Sequence, residues 1–165
     1  MSRAANPSFP LKVRLATADD IPAIVSIANA AFAIETFLEG SRTDHERMAA
    51  MMQKGEFLVG EDQSGRLLAS VYIEKRGEGA YLGMLAVDPT RQGSGIGRQM
   101  TEAAEAYCRE HGCRYIDIVV LSLRPELLPL YRKLGFVETG TEEFRPSRPL
   151  KPGIECYGIK MSKTL

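Results

Sequence analysis

The stretch from residue 80 to residue 97 constrains the fold of this chain more than any other part of it. It begins as an apolar run that ends at Val87, as expected of a buried strand. Asp88-Pro89 then interrupts the strand, because proline cannot donate a hydrogen bond to a sheet. A glycine-rich turn follows, and an apolar pattern with helical spacing begins at Ile96. The stretch therefore predicts a strand, a glycine turn and a helix, in that order.

The glycine turn, Gln92-Gly93-Ser94-Gly95-Ile96-Gly97, predicts a site for an anion. Glycines allow positive φ angles and let a ligand approach the backbone without meeting a Cβ atom. The first N–H groups of a helix have no partner within the helix, and the helix dipole places partial positive charge there. A pyrophosphate fits that arrangement. Taken alone, the glycines are also compatible with an ordinary strand-to-helix turn.

The composition excludes several kinds of partner. Lys+Arg and Asp+Glu number 21 each, so no net charge points to nucleic acid or to an anionic membrane. No apolar run approaches the length of a membrane span, and no apolar signal core is present near the N-terminus. The cysteines Cys108, Cys113 and Cys156 are scattered, which favours reduced thiols and a cytoplasmic location. Together with the two histidines they show no metal-ligand spacing, so we expect no metal.

Periodicity and turn residues predict the other elements. Residues 1–10 are expected to form a flexible lead, and residues 11–165 a single domain. The predicted elements are, in chain order, a strand over 11–15, a helix over 21–32, a helix that starts at a Thr43-x-x-Glu46 capping box, strands over 56–61 and 66–75, the strand, turn and helix described above, a strand over 115–121, a short helix over 127–134, and strands over 136–144 and 154–161.

The order of the elements also predicts the direction of one strand and a segment that could cover a site. The strand over 115–121 should lie parallel to the strand that ends at Val87, because a helix connects them. The proline-rich segment over 145–153 is a candidate lid or wall over a site.

The element order, with Gln92-x-x-Gly95-x-Gly97 and Tyr131-Arg-Lys-Leu-Gly135-Phe136, resembles the GCN5-related N-acetyltransferase (GNAT) superfamily over roughly residues 11–163. The resemblance implies an α+β, three-layer fold. Its central sheet is mixed and mostly antiparallel, splays between the fourth and fifth strands, and has helices on both faces. It implies acetyl-coenzyme A as the donor and a primary amine, on a small molecule or a peptide, as the acceptor. Homodimers are common in the family.

The resemblance also implies which residues form the site. Backbone groups at the end of the fourth strand would pair with the pantetheine arm, amides of the glycine turn would hold the pyrophosphate, and Tyr131 would be the general acid for the leaving thiolate. The implied cofactor-binding residues are Leu85, Ala86, Val87, Gln92, Gly93, Ser94, Gly95, Ile96, Gly97, Arg98 and Tyr131. A thiol has a pKa of about 8.5 and a phenol about 10, so Tyr131 is protonated at neutral pH and has a suitable acidity.

The chain departs from the family pattern at two positions. Gly83 stands where many members have a glutamate that acts as base, and Arg124 stands where many have an asparagine. The sequence therefore leaves the identity of the general base open. Glu74 is the candidate, and Glu35 or Glu155 are alternatives. An amine that arrives in its neutral form needs no base. The candidate acceptor-binding residues are Phe32, Glu35, Phe37, Tyr72, Met84 and Glu155, with Phe144 as a further wall residue. Their carboxylates would suit a cationic small amine.

Two rival interpretations remain. A dinucleotide-binding fingerprint requires Gly-x-Gly-x-x-Gly, and the third glycine comes one residue too early here. A catalytically inactive acyl-coenzyme A sensor or interaction module of the same fold is the alternative to an enzyme. Cofactor binding without turnover on any amine would favour that alternative.

Overall fold

A seven-stranded mixed sheet organises the part of the chain that the computed structural model describes, residues 10–145 and 148–165. Residues 1–9 of the predicted lead and residues 146–147 of the proline-rich segment lie outside the described residues. The strands are β1 (Lys12–Leu15), β2 (Glu56–Glu61), β3 (Leu67–Arg76), β4 (Gly79–Val87), β5 (Tyr115–Leu121), β6 (Val137–Glu143) and β7 (Tyr157–Thr164). The helices are α1 (Ile21–Ala31), α2 (His45–Lys54), α3 (Ile96–Glu110) and α4 (Leu127–Lys133).

The strand order is β1-β2-β3-β4-β5-β7-β6, and adjacent strands are antiparallel except for the parallel pair β4–β5. Helices α1 and α2 pack on one face of the sheet, around Ile24, Met48 and Phe57. Helices α3 and α4 pack on the other face, where Met100 and Ile116 are buried. The predicted fold class and the parallel orientation of β4 and β5 are thus confirmed.

A bulge in β4 interrupts the sheet next to the parallel pair. Ser70 pairs with Ala86 and Tyr72 with Gly83, so β4 has one residue more than β3 between these pairs. Met84 lies in the bulge with a φ of 51°, which a residue with a side chain rarely adopts. In the described part of the chain, β5 pairs with β4 only before the bulge, at residues 80 and 81. Beyond it the two strands part, as the resemblance predicted.

Several boundaries differ from the prediction, and the starts of α2 and β7 differ for reasons that local contacts show. The capping box at Thr43 is wrong: Asp44 is the N-cap of α2, and its carboxylate accepts a hydrogen bond of 2.8 Å from the Arg47 amide. Thr43 is buried and its amide donates to Asn29 instead. The last strand begins three residues later than predicted, because Ile154 still belongs to a turn in which its amide bonds to the Lys151 carbonyl. Among the described residues, no helix has the length and apolar character needed to cross a membrane.

An ion pair joins β1 to the start of α1. Arg14 donates two hydrogen bonds, of 2.8 and 2.9 Å, to the buried carboxylate of Asp20. The Thr17 amide donates a third bond of 2.8 Å to the same carboxylate. Because both oxygens accept hydrogen bonds from this part of the chain, the pair fixes the direction in which the chain leaves the first strand.

Replacing Asp20 by asparagine is expected to lower the free energy of unfolding at neutral pH by about 1–3 kcal/mol, because charge-assisted hydrogen bonds are lost. Hydrogen bonds from Arg14 hold the pKa of Asp20 below its usual range. A carboxyl group whose pKa is lowered by folding stabilises the protein at pH values above its unfolded pKa of about 3.9. This stabilisation is lost as the pH falls through the pKa of the folded state. Urea unfolding should therefore show the largest difference from wild type near neutral pH, and a shrinking one below about pH 4.

The matched control is Asp19→Asn, at the exposed neighbouring position. It is expected to change the free energy of unfolding by less than about 0.5 kcal/mol. Equal losses in the two variants would contradict a specific role for the Arg14–Asp20 pair.

Candidate active site

A cleft of about 1530 Å³ opens where β4 and β5 part. Its walls come from the end of β4, the turn before α3, the second half of β5, and one side of α4. The loop after α1 and the segment between β6 and β7 close the far end. The cleft therefore connects the glycine turn with loops from distant parts of the chain.

The glycine turn forms one end of the cleft. Gly93 and Gly95 have φ angles of 86° and 82°, and a Cβ atom at either position would meet no atom within 4 Å. Gly95 is the N-cap of α3 and provides no side chain to cap the first N–H groups of this helix. Open space, positive φ and the helix dipole together make a cradle for an anion, so the residues present fit the diphosphate of coenzyme A.

Tyr131 lies on α4 and lines the same cleft. Its ring packs edge-on against Phe136, with the ring centroids 5.8 Å apart. Burial raises the pKa of Tyr131, and the positive charge of Arg124 partly opposes this effect. The phenol therefore keeps its proton at neutral pH, and its hydroxyl can serve as a proton donor inside the cleft.

A buried carboxylate holds the far end of the cleft together. Glu35, whose side chain is 5% exposed, accepts a bond of 2.9 Å from Arg124 and one of 3.1 Å from Arg148. Arg124 also donates to the exposed Glu126. A single carboxylate thus ties the loop after α1 to the loop before α4 and to the segment that leads into β7.

Aromatic rings cover the floor beside these charges. The Arg42 guanidinium lies 5.1 Å from the centroid of the Phe32 ring, and that of Arg76 lies 4.4 Å from the Tyr81 ring. A Cβ atom on Gly83 would lie 2.8 Å from the Tyr81 ring. The Tyr81 ring therefore fills the space that a side chain at residue 83 would need, which explains the glycine at this position.

The charged lining of the cleft is mostly basic. The basic residues are Arg42, Arg47, Arg76, Arg91, Arg98, Arg124, Lys133, Arg145, Arg148 and Lys160, and the acidic residues are Glu35, Asp117, Glu142 and Glu143. This imbalance arises in a chain whose net charge is zero. The expected carboxylate-rich wall for a cationic amine does not agree with this lining.

The structure brings most of the predicted site residues together. Those that line the cleft are Phe32, Glu35, Met84, Leu85, Val87, Gln92, Gly93, Gly95, Ile96, Gly97, Arg98 and Tyr131, and Phe144 lines it as well. Six do not line it: Phe37, Tyr72, Glu74, Ala86, Ser94 and Glu155.

The reasons lie in the local contacts of these six residues. The buried hydroxyl of Tyr72 donates to Glu74 at 2.8 Å, and Arg76 binds the other oxygen of that carboxylate. Ala86 points into the core beneath α1, and the Ser94 hydroxyl donates to the Arg91 carbonyl, just before the glycine turn. Phe37 lies in the loop after α1, where its carbonyl accepts from Lys151, and Glu155 is exposed.

Sequence reasoning did not find many of the cleft residues, and three of them are important for the chemistry of the site: Arg42, Tyr81 and Arg148. Arginines on predicted loops are usually solvated, so the type and position of Arg42 and Arg148 give no signal. The sequence marks Arg124 only as a departure from the family pattern. The glycine at residue 83 was the one available clue to Tyr81, because a missing side chain often marks a place that a neighbour occupies.

Replacing Glu35 by glutamine is expected to lower the free energy of unfolding by about 3 kcal/mol, because two largely buried guanidinium groups lose their shared counter-charge. The matched control is Glu126→Gln. The Glu126 side chain binds the same Arg124 but is 56% exposed. Its substitution should cost less than about 1 kcal/mol. Chemical denaturation of both variants measures the two free energies of unfolding. Equal losses of stability in the two variants would contradict a special role for the buried carboxylate.

Comparisons with known proteins agree with this geometry. A family model described as an acetyltransferase (GNAT) domain matches residues 24–147. Mycothiol acetyltransferase of Propionibacterium freudenreichii subsp. shermanii is 28% identical over 145 residues, which cover 81% of this chain and 45% of that protein. Glucosamine 6-phosphate N-acetyltransferase 1 of Oryza sativa subsp. japonica is 30% identical over 112 residues, which cover 63% of this chain and 66% of that protein. The chain thus spans about half to two thirds of the length of these relatives.

Solved structures share the fold. The ribosomal-protein-S18-alanine N-acetyltransferase of Escherichia coli has a TM-score of 0.78 at 20% identity, with 94% of each chain covered. A phosphinothricin acetyltransferase of Sinorhizobium meliloti, solved with acetyl-coenzyme A, has a TM-score of 0.71 at 21% identity, covering 94% of this chain and 88% of that one. With the family model matching most of its length, this chain belongs to the GNAT family of acetyltransferases, enzymes whose acyl donor is acetyl-coenzyme A.

Proposed function

We propose that this chain transfers an acetyl group from acetyl-coenzyme A to a primary amine, with Tyr131 as the general acid for the leaving thiolate. The observation that carries the proposal is that the glycine turn and Tyr131 line one cleft, at the point where β4 and β5 part. An anion cradle and a partly buried phenol in the same cleft are what an acyl thioester on a diphosphate carrier requires.

Different parts of the cleft would hold different parts of the donor. The β4 backbone at Leu85, in the bulge, and at Val87, beyond it, lies where β5 no longer pairs with β4 among the described residues, so its N–H and C=O groups can bind the pantetheine arm as an added strand. The amides from Gly93 to Arg98 would hold the diphosphate at the start of α3. When bound, acetyl-coenzyme A supplies an activated thioester carbonyl and a thiolate leaving group.

The role of Tyr131 follows from its acidity. A thiol has a pKa of about 8.5 and an unperturbed phenol about 10. Because burial raises the pKa of Tyr131, its Oη holds the proton throughout the neutral range and gives it to the sulfur as the bond to carbon breaks. A loss of turnover at alkaline pH through this group is therefore expected only above about pH 10.

The proposal assigns no carboxylate base to the amine. The Tyr81 ring fills the space at residue 83, and Glu74 is bound by Tyr72 and Arg76 outside the cleft. The acceptor amine is proposed to react as the neutral species that reaches the cleft. Its nitrogen releases one proton to solvent as the amide bond forms and the carbon–sulfur bond breaks, and solvent returns a proton to the Tyr131 phenolate.

Replacing Gly95 by alanine is expected to weaken acetyl-coenzyme A binding about tenfold, because the new methyl group enters the space where the diphosphate lies. The strain of positive φ would also lower stability by about 1–2 kcal/mol. Gly65→Ala is the matched control, since Gly65 has a φ of 85° and open space but lies in the β2–β3 turn. Calorimetric titration with acetyl-coenzyme A compares the two, and equal affinities would remove the glycine turn from the binding site.

Replacing Tyr131 by phenylalanine is expected to lower kcat about 100-fold or more while acetyl-coenzyme A affinity stays nearly unchanged, because only the proton donor is lost. The measurement is release of free thiol from acetyl-coenzyme A over a panel of amines, amino acids and peptides. Tyr157→Phe, at an exposed tyrosine of β7, is the control and should be fully active. Unchanged kcat in the Tyr131 variant would refute the acid role, and cofactor binding without turnover on any amine would identify an acyl-coenzyme A sensor instead.

A further inference from the structure

At the end of the cleft away from the glycine turn, guanidinium groups outnumber the buried carboxylates. Arg124 and Arg148 share one carboxylate, that of Glu35, and each takes one of its oxygens. The other partner of Arg124 is Glu126, which is more than half exposed and contributes a weaker, solvent-screened charge. One buried negative charge therefore faces two largely buried positive charges.

Arg148 carries the clearest sign of a missing partner. Its side chain is only 7% exposed and lines the cleft. One terminal nitrogen binds Glu35 and the other binds the Gly40 carbonyl at 2.9 Å, yet among the described residues the buried Nε has no hydrogen-bond partner. Burying a hydrogen-bond donor of a cation without a partner costs free energy. An anionic ligand in the cleft would offset that cost, because its negative charge would interact favourably with the positive charges of the whole cluster.

Arg42 adds a third positive charge to the same wall. Its guanidinium stacks on Phe32, and its charge interacts with Glu35, Tyr81 and Arg148. Burial is the main influence on this group and lowers the pKa of Arg42 from its ordinary value. A partly buried guanidinium that has Glu35 and Arg148 as charged neighbours adds to the attraction of this wall for an anion.

The backbone holds these arginines in place before any ligand arrives. The Glu39 amide donates to the Pro149 carbonyl at 2.9 Å, and the Lys151 amide donates to the Phe37 carbonyl at 3.0 Å. Leu38 and Leu150 form a bridge between the same two segments. Because the loop after α1 and the segment before β7 are paired in this way, Arg42 and Arg148 project from a fixed wall rather than from free loops.

We propose that the acceptor carries an anionic group, a carboxylate or a phosphate, close to its amine, and that Arg42, Arg124 and Arg148 bind this group. The inference rests on the proposed acetyl transfer and names the class of acceptor. Planar guanidinium groups bind the oxygens of either anion in pairs, which explains arginine rather than lysine at all three positions.

The anion must lie near the reacting atoms. The Leu127 amide at the start of α4 donates to the Arg124 carbonyl at 3.1 Å, so Arg124 lies immediately before the helix that carries Tyr131. Arg42, Arg124 and Tyr131 line the same cleft, and an anion held between these arginines therefore shares that cleft with the proposed proton donor. The acceptor is accordingly an amino acid or a short aminoalkyl phosphate, in which a few bonds separate the amine from the anion.

Matched acceptors test this directly. With acetyl-coenzyme A and wild-type protein at constant ionic strength, we compare glycine with glycinamide, and 2-aminoethyl phosphate with ethanolamine. At least one anionic member should have a kcat/KM 10-fold or more above its neutral partner, and the pair that responds tells carboxylate from phosphate. Glycinamide has the less basic amine, so a preference for glycine cannot come from a larger neutral fraction.

Variants connect the preference to the arginines. Arg42→Gln leaves both bonds to Glu35 in place, so it should fold normally and reduce the preference roughly 10- to 100-fold, mainly through KM. The matched control is Arg114→Gln, whose guanidinium is 76% exposed beside Glu78 and does not line the cleft. It should retain the wild-type preference.

A binding measurement without acetyl-coenzyme A keeps the two proposals separate. Calorimetric titration with inorganic phosphate and with glycine should detect binding to wild type that Arg42→Gln weakens at least 10-fold. Acetylation of the neutral amines at equal rates, or no binding of either anion, would overturn the anionic acceptor and leave acetyl transfer standing. Anion binding that depends on Arg42 without acetylation of any amine would support the anion site and overturn the transfer reaction.

Discussion

The separation of β4 from β5 is the constraint on which the rest of the molecule depends. Two parallel strands would normally continue their hydrogen bonds along their full length, and here they stop after residues 80 and 81. The bulge at Met84 and Leu85 turns β4 away, and in the described part of the chain it leaves backbone groups at the centre of the sheet without a strand beside them. Buried N–H and C=O groups need partners, so a cleft of this kind is suited to a ligand with an amide-bearing arm. The start of α3 and one face of α4 lie at the same opening because each follows one of the two strands.

A second constraint concerns loops that have no regular structure of their own. Glu35 joins three of them through Arg124 and Arg148, which lie 89 and 113 residues away in the sequence. Burying a carboxylate with two guanidinium groups contributes little net stability, because desolvation cancels much of the Coulomb attraction. The main effect of burying this carboxylate is to fix the positions of the three loops. The ion pairs fix where the arginines project, and the paired backbone of residues 37–39 and 149–151 makes the same wall rigid.

The parts of the fold that could be predicted are those that neighbouring residues specify. Pro89 ends β4, the glycines permit the turn, and the apolar spacing from Ile96 defines α3, so the cofactor end of the cleft follows from one continuous stretch. The start of α2 could not be fixed, because Thr43 and Asp44 are both good N-cap residues and only the buried contact with Asn29 decides between them. The acceptor end could not be predicted either, since its charges meet only through the tertiary fold.

The acceptor end also offers a physical account of the missing glutamate at residue 83. A general base is needed where the amine arrives as an ammonium ion, and a carboxylate beside it would favour that charged form. Arginines have the opposite effect, because nearby positive charge disfavours the ammonium ion and lowers the pKa of the amine. An acceptor bound by its anionic group between Arg42, Arg124 and Arg148 would thus present its amine in the neutral, nucleophilic form. With Tyr81 filling the space of the glutamate and Tyr131 as the proposed proton donor to sulfur, the arginines would combine recognition of the acceptor with activation of its amine.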